Sequence, residues 1–155
     1  MPTLIWSPGS GPQDRELSQA MLSYWSKVGV RIKSQEMESA NWLKDLLALN
    51  WDMDFQTNGV TTGDADFTLR RLYHSTAKRN SYANPELDKI LDEAAATVDQ
   101  ARRQALYAQA NKTIWDEAVG IFPMELLDTW VSRKRVTGFV PPIDEIPSFA
   151  ATRVS

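Results

Sequence analysis

Residues 30–55 read VRIKSQEMESANWLKDLLALNWDMDF, and the apolar period changes twice within them. In "VRIKSQEM" Val30, Ile32 and Ser34 alternate with Arg31, Lys33 and Gln35, the period of two expected for a strand with one charged face. Ser39 then stands where a helix cap belongs, and Trp42, Leu43, Leu46, Leu47 and Leu49 follow at helical spacing. Trp51, Met53 and Phe55 return to the strand period. The stretch therefore predicts strand, helix, strand.

Upstream, "TLIWSP" has the β-branched and aromatic composition of a short strand, broken by the glycines and proline of residues 9–12. Asp14 is placed to cap a helix whose apolar positions are Leu17, Ala20, Met21, Tyr24 and Val28, with Gly29 placed to end it. The pattern to residue 55 is thus β-α-β-α-β. Strands that alternate with helices of this length argue for parallel neighbours covered by crossover helices.

The segment after the third strand, residues 57–66, is TNGVTTGDAD. Open α/β sheets bind ligands outside the carboxyl ends of their strands, so this loop is the candidate site. Its glycines let a backbone approach closely, and Thr57, Asn58, Gly59, Thr61 and Thr62 offer adaptable hydrogen bonds. Asp64 and Asp66 have two readings: anchors for a ligand ammonium, or caps for a short helix near Phe67, with capping favoured for Asp66.

Other chemistries fit the loop poorly. A phosphate loop needs a lysine where Asp64 follows Gly63, and an EF-hand-type calcium loop needs further oxygen ligands where Phe67 and Leu69 stand. No metal site and no cofactor are expected. His74 is the sole histidine, without a nucleophile elbow, and reads as a surface or loop residue. A small α/β hydrolase-like enzyme using His74 with Asp64 or Asp66, or a standalone interaction module, remains the alternative, and the pair Asp52 and Asp54 has no sign of burial. Arg133-Lys134-Arg135 reads as a solvated hairpin end.

Downstream, Asn84-Pro85-Glu86 is a helix start, and Leu87, Ile90, Leu91, Ala94 and Ala95 form one apolar face. Asp99 caps a further helix with Ala101, Ala105, Leu106, Ala108, Ile114 and Trp115 as its apolar positions. Residues 119–142 read as short strands interrupted by Pro123 and Gly138, and a proline-rich tail follows from Pro141.

The chain has 155 residues, enough for one domain, and carries seventeen Lys and Arg against twenty Asp and Glu, a net charge of −3. No basic field exists to attract a phosphate backbone, so nucleic acid is excluded as the expected partner. The absence of cysteine removes disulfides and thiolate chemistry. No run of about 18 apolar residues suggests a transmembrane helix, and the amino-terminal residues lack the layout of an export signal.

Three stretches together carry a resemblance: RELSQAMLSYWSKVGVRIKSQEMESANWLKDLLALNWDMDF, YANPELDKILDEAAATVDQARRQALYAQANKTIWDEAVGIFPM and VSRKRVTGFVPP. Within them "NPELDKILDEA", the pattern D-x-x-x-R-x-x-L-Y from Asp99, Arg103, Leu106 and Tyr107, and "V-x-G-F-V-P" from Val136 are specific. The chain resembles the carboxyl-terminal lobe of the family 5, peptide and nickel type, of extracellular solute-binding proteins of ABC importers.

That resemblance implies a single α/β lobe, residues 1–155, with a mixed sheet flanked by helices, of the periplasmic-binding-protein type II kind. It implies that an amino-terminal lobe lies outside this chain and that a peptide or glutathione-like ligand is held between lobes without catalysis. An ABC permease is then the membrane partner, the location is periplasmic or extracellular with the export signal outside the fragment, and the uncovered lobe face is a candidate for self-association. In the family the loop runs Gly-Trp, an acid, then Gly-Asp-Pro-Asp. Here Asn58 takes the place of the Trp, Thr61 that of the acid that pairs with a peptide α-ammonium, and Ala65 that of the Pro. These departures argue against dipeptides held by a free amino terminus, and "TTGDAD" followed by "LRRLYHS" is more similar to the glutathione-binding branch.

Overall fold

The computed structural model describes residues 1–8, 13–77, 79–125, 127, 129–142 and 146–155, and the break expected at residues 9–12 lies outside them. The chain divides into two compact units, Met1–Asn58 with Arg71–Asn84, and Gly59–Arg70 with Pro85–Ser155.

The first unit contains β1 (Thr3–Trp6), α1 (Asp14–Lys27), β2 (Lys33–Glu36), α2 (Ser39–Leu47) and β3 (Met53–Phe55). The strands pair in the order β2-β1-β3, parallel on both sides, with Leu4 opposite Ser34 and Met53. Parallel neighbours need crossovers, and α1 and α2 supply them. Paired on both edges, β1 is the centre: Leu4, Ile5 and Trp6 are 1–3% exposed, so "TLIW" is apolar throughout rather than alternating. The Trp6 indole N–H donates to Ser34 Oγ at 3.0 Å, which satisfies the one polar atom of that buried ring.

The α1 face is rotated from the expected one, whereas α2 buries a narrower part of the expected face, Leu46 with Trp42 half-buried. The buried residues of α1 are Asp14 and Ser18, with Met21 and Trp25 half-buried, whereas Tyr24 is exposed. Ser18 is buried at no cost in unpaired polarity because its hydroxyl donates to the Arg15 carbonyl at 3.0 Å. Asp14 lies inside the helix instead of capping it, in the first turn where a carboxylate complements the dipole. The end of α1 matches expectation: Gly29 has φ +86°, its N–H reaches Ser26 O, and Val30 N–H reaches Trp25 O. That pair of bonds is a Schellman closure. On α2 the cap is Glu38, whose carboxylate accepts from the N–H of Ala40 and Asn41, while Ser39 Oγ pairs with Ser7 Oγ at 2.9 Å. Only Leu46 of its apolar positions is fully buried.

The unit boundary falls within α3 (Ala65–Tyr73). In the second unit α4 (Pro85–Ala96) and α5 (Gln100–Asp116) pack on one another as a helical hairpin. Leu87, Leu91 and Ala94 face inward from α4, as the spacing predicted. On α5 the buried residues are Tyr107, Ala110 and Ile114, of which Ile114 was expected, while Ala101, Ala105, Ala108 and Trp115 are exposed, Trp115 at 67%. Asp99 caps α5 as expected, its carboxylate accepting Arg102 N–H at 2.7 Å.

Of the short strands expected in residues 119–142, the described residues form β4 (Val136–Thr137), which pairs antiparallel with β5 (Arg153–Val154). The parallel and antiparallel pairings expected in one mixed sheet are thus divided between two small sheets. Gly138 explains itself here: its φ is +75°, and a Cβ would stand 2.2 Å from the Ala151 carbonyl oxygen.

Candidate ligand-binding loop

In the first unit the loop starts where β3 ends. Thr57 and Asn58 are half-buried there, and Arg71 donates from Nη2 to Asn58 Oδ1. Two residues earlier, Asp54 accepts the Trp42 indole N–H at 2.8 Å. Burial pushes the Asp54 carboxyl up to about 6, against the opposing pull of that hydrogen bond and of the Arg79 charge. Asp52 is exposed and accepts Thr3 N–H at 2.8 Å, so the two acids sit in different surroundings. A polar depression of about 420 Å³ borders Thr3, Asp45, Asn50 and Asp52, at the amino-terminal ends of β1 and β3 rather than at the loop.

In the second unit Gly59 and Val60 are half-buried and Thr61, Thr62 and Gly63 are exposed. A turn closes through Gly63 N–H to Val60 O at 2.9 Å, with Gly63 at φ +65°. Thr62 Oγ1 accepts Asp64 N–H at 3.3 Å. The cap of α3 is Asp64 rather than Asp66: its Oδ1 accepts Asp66 N–H at 2.8 Å, and the helix begins at Ala65, two residues before the expected start.

The carboxylates of Asp64 and Asp66 are both engaged from α5, and Asp66 also by Arg70 of α3. Arg103 grips Asp64 with two parallel bonds, Nη1 to Oδ2 at 2.6 Å and Nη2 to Oδ1 at 2.7 Å. Tyr107, one helical turn on, donates its hydroxyl to Asp66 Oδ1 at 3.0 Å and receives Arg103 Nη2 at 3.2 Å. The same guanidinium lies 4.9 Å from the Tyr107 ring. Arg70 reaches back from α3 to Asp66 at 3.3 Å and extends to Asp92 at 2.8 Å and the Leu91 carbonyl at 3.0 Å on α4.

The electrostatics agree with the geometry. Hydrogen bonding from Arg103, then the Asp66 N–H, holds the Asp64 carboxyl below the usual carboxylate range, and the Asp64 bond raises Arg103 in turn. Burial, then its bond to Asp66, raises the Tyr107 hydroxyl. Bidentate, charge-assisted pairs of this kind fix orientation as well as charge.

Arg103, Tyr107 and Asp92 belong to the sequence patterns that carry the resemblance, and their contacts with the loop emerge only in the structure. The readable signal was the Arg103–Tyr107 interval of four, which puts both on one face of α5. His74 is buried at 8% exposure rather than on the surface, and its Nδ1 accepts Thr76 N–H at 3.2 Å. Among the described residues no group of three or more Asp, Glu or His side chains is arranged to hold a metal ion. No helix among them is long and apolar enough to cross a membrane.

The fold is the mixed α/β fold of the type II periplasmic binding proteins. A dipeptide-binding protein from Pseudoalteromonas, solved with Met-Leu, superposes with a TM-score of 0.75 at 20% identity over 99% of this chain and 32% of its own. HbpA2 of Haemophilus parasuis gives 0.77 at 19% identity over 99% of this chain and 32% of its own. The sequence relatives are binding proteins for small solutes, among them a probable D,D-dipeptide-binding periplasmic protein of Escherichia coli and a di/tripeptide-binding protein of Pseudomonas aeruginosa, each 27% identical to this chain. Another is the glutathione-binding protein GsiB of Pectobacterium atrosepticum, 27% identical over 95% of this chain and 31% of its own length. This chain thus spans about a third of the length of the relatives it matches. No family model matches it. These relatives are solute-binding proteins rather than enzymes, and they give no support to the hydrolase reading of His74 with Asp64 or Asp66.

Proposed function

We propose that the chain is part of the solute-binding component of an ABC importer for peptides or peptide-like solutes such as glutathione, and that it captures its ligand without catalysis. The observation that supports this reading is the match of 95% of the chain to a glutathione-binding protein, on a fold common to the type II periplasmic binding proteins. In this reading loop residues Thr57, Asn58, Gly59, Thr61 and Thr62 contact the ligand, and Asp64 and Asp66 hold the loop through Arg103, Tyr107 and Arg70.

Its partners are a further lobe of the same receptor and a membrane permease, and its place is the periplasm or the outer face of the cell membrane. Leu127 at 89% and Val131 at 91% exposure are apolar surface that the rest of the receptor would cover, or that would drive self-association of the chain alone. Calorimetry of this chain and of the full-length gene product with glutathione and with a dipeptide tests the reading. Binding by the full-length product and none by the chain alone is expected. Failure of the full-length product to bind either, or turnover of either, refutes it.

A further inference from the structure

The acids of the loop are the groups that would ordinarily receive a cationic ligand, and their surroundings bear on which ligands fit. Asp64 has Arg103 in direct two-pronged contact, and Asp66 shares Arg70 with Asp92 of α4 while also receiving the Tyr107 hydroxyl. Arg103 is the more committed of the two, because it meets both Asp64 oxygens while its side chain keeps only 24% of its exposure. Asp64 Oδ1 carries a third duty as the cap of α3, and Asp66 Oδ1 receives both Tyr107 and Arg70.

An ammonium arriving at Asp64 would have to displace a paired guanidinium or sit beside it, and like charges in contact repel. What the tip of the turn presents outward is uncharged: the exposed residues Thr61, Thr62 and Gly63. We infer that Arg103 and Tyr107 are positioning residues that hold Asp64 and Asp66 as anchors of the loop, so that the loop selects ligands through uncharged hydrogen bonds and receives no ligand ammonium. The inference rests on the peptide-binding reading proposed above.

The selectivity follows from the same bonds. Blocking a ligand's amine removes a charge that this loop has no free partner for, so binding should be indifferent to that change. An added, unpaired carboxylate at the turn should create a preference. Arg103→Lys keeps the charge but loses the two-pronged grip, so it should restore only part of what Arg103→Ala loses.

The test uses the full-length gene product with two probes, glutathione and N-acetylglutathione, read by calorimetry, together with amide hydrogen exchange. Expected for the wild type is affinity for the two probes within about threefold, a difference of about 0.65 kcal/mol. Thr61→Asp should favour free-amine glutathione by tenfold or more. Arg103→Ala should lower affinity for N-acetylglutathione by tenfold or more, with a smaller loss for free-amine glutathione because Asp64 is left without its guanidinium, and speed exchange at residues 59–66 with β1 and α4 unchanged, and Arg103→Lys should recover part of these effects. A tenfold wild-type preference for the free amine overturns the selectivity, and unchanged exchange of the loop in Arg103→Ala overturns the positioning role. Absence of binding to either probe overturns the functional reading instead, while the exchange experiment still decides the role of Arg103.

Discussion

Asp54→Asn is expected to stabilise the chain at neutral pH, an unusual outcome for a half-buried polar residue on a strand. In the fold the carboxyl sits at about 6 against an ordinary 3.8, mainly because burial disfavours its charge. Two units at about 1.4 kcal/mol each mean that keeping Asp54 ionised costs the fold about 3 kcal/mol at pH 7. The folded state takes the proton first, so this strain is absent below the ordinary carboxylate pKa and grows as pH rises through about 6. Asparagine keeps an acceptor for the Trp42 indole but gives up the attraction to Arg79, so the net gain at pH 7 is about 1–2 kcal/mol. For a chain of this size that is a rise in Tm of roughly 3–8 °C. Urea denaturation followed by tryptophan fluorescence at pH 4.5 and pH 7.5 measures it. Wild type should gain on the variant as pH falls between those values. A variant less stable than wild type at pH 7.5, or a difference that does not change with pH, refutes the reasoning.

Three further substitutions follow from local geometry. Ala118 ends α5 at φ +50°, closing with its N–H on Trp115 O and Val119 N–H on Ile114 O; Ala118→Gly should relieve the left-handed strain and raise stability by about 0.5–1 kcal/mol in urea denaturation. Gly138→Ala would drive a methyl to 2.2 Å from the Ala151 carbonyl oxygen; a loss of about 2 kcal/mol, with faster amide exchange in β4 and β5, is expected. Leu46 has no exposed surface, and Leu46→Ala should cost about 2–4 kcal/mol with an unchanged dependence on urea concentration.

The β-α-β-α-β order was legible because strand and helix periods differ sharply in residues 1–55. The inward faces of α1 and α5 were less so, for a physical reason. On α1 the inward positions include Asp14 and Ser18, and polar residues at buried sites defeat any count of apolar spacing. On α5 alanines surround the helix, leaving Tyr107 to mark the buried side while Trp115 points outward. The cap of α3 lies two residues from the expected Asp66 because Asp64 and Asp66 are equally good caps by type, and the bond that holds Asp64 comes from Arg103, thirty-nine residues away. Asp54 gave no sequence sign of its burial, since Asp52 and Asp54 look alike until β3 is placed beside β1.

The grip of α5 on Asp64 has a consequence for engineering. A loop whose conformation is dictated by partners forty residues downstream is not a portable cassette. Transplanting residues 59–66 alone into another receptor would carry the two acids without Arg103 and Tyr107, and would deliver a floppy, negatively charged tip in place of a neutral one. The transferable unit is the loop together with the Arg103 and Tyr107 face of α5, and a chimaera that moves both should keep the donor's ligand preference.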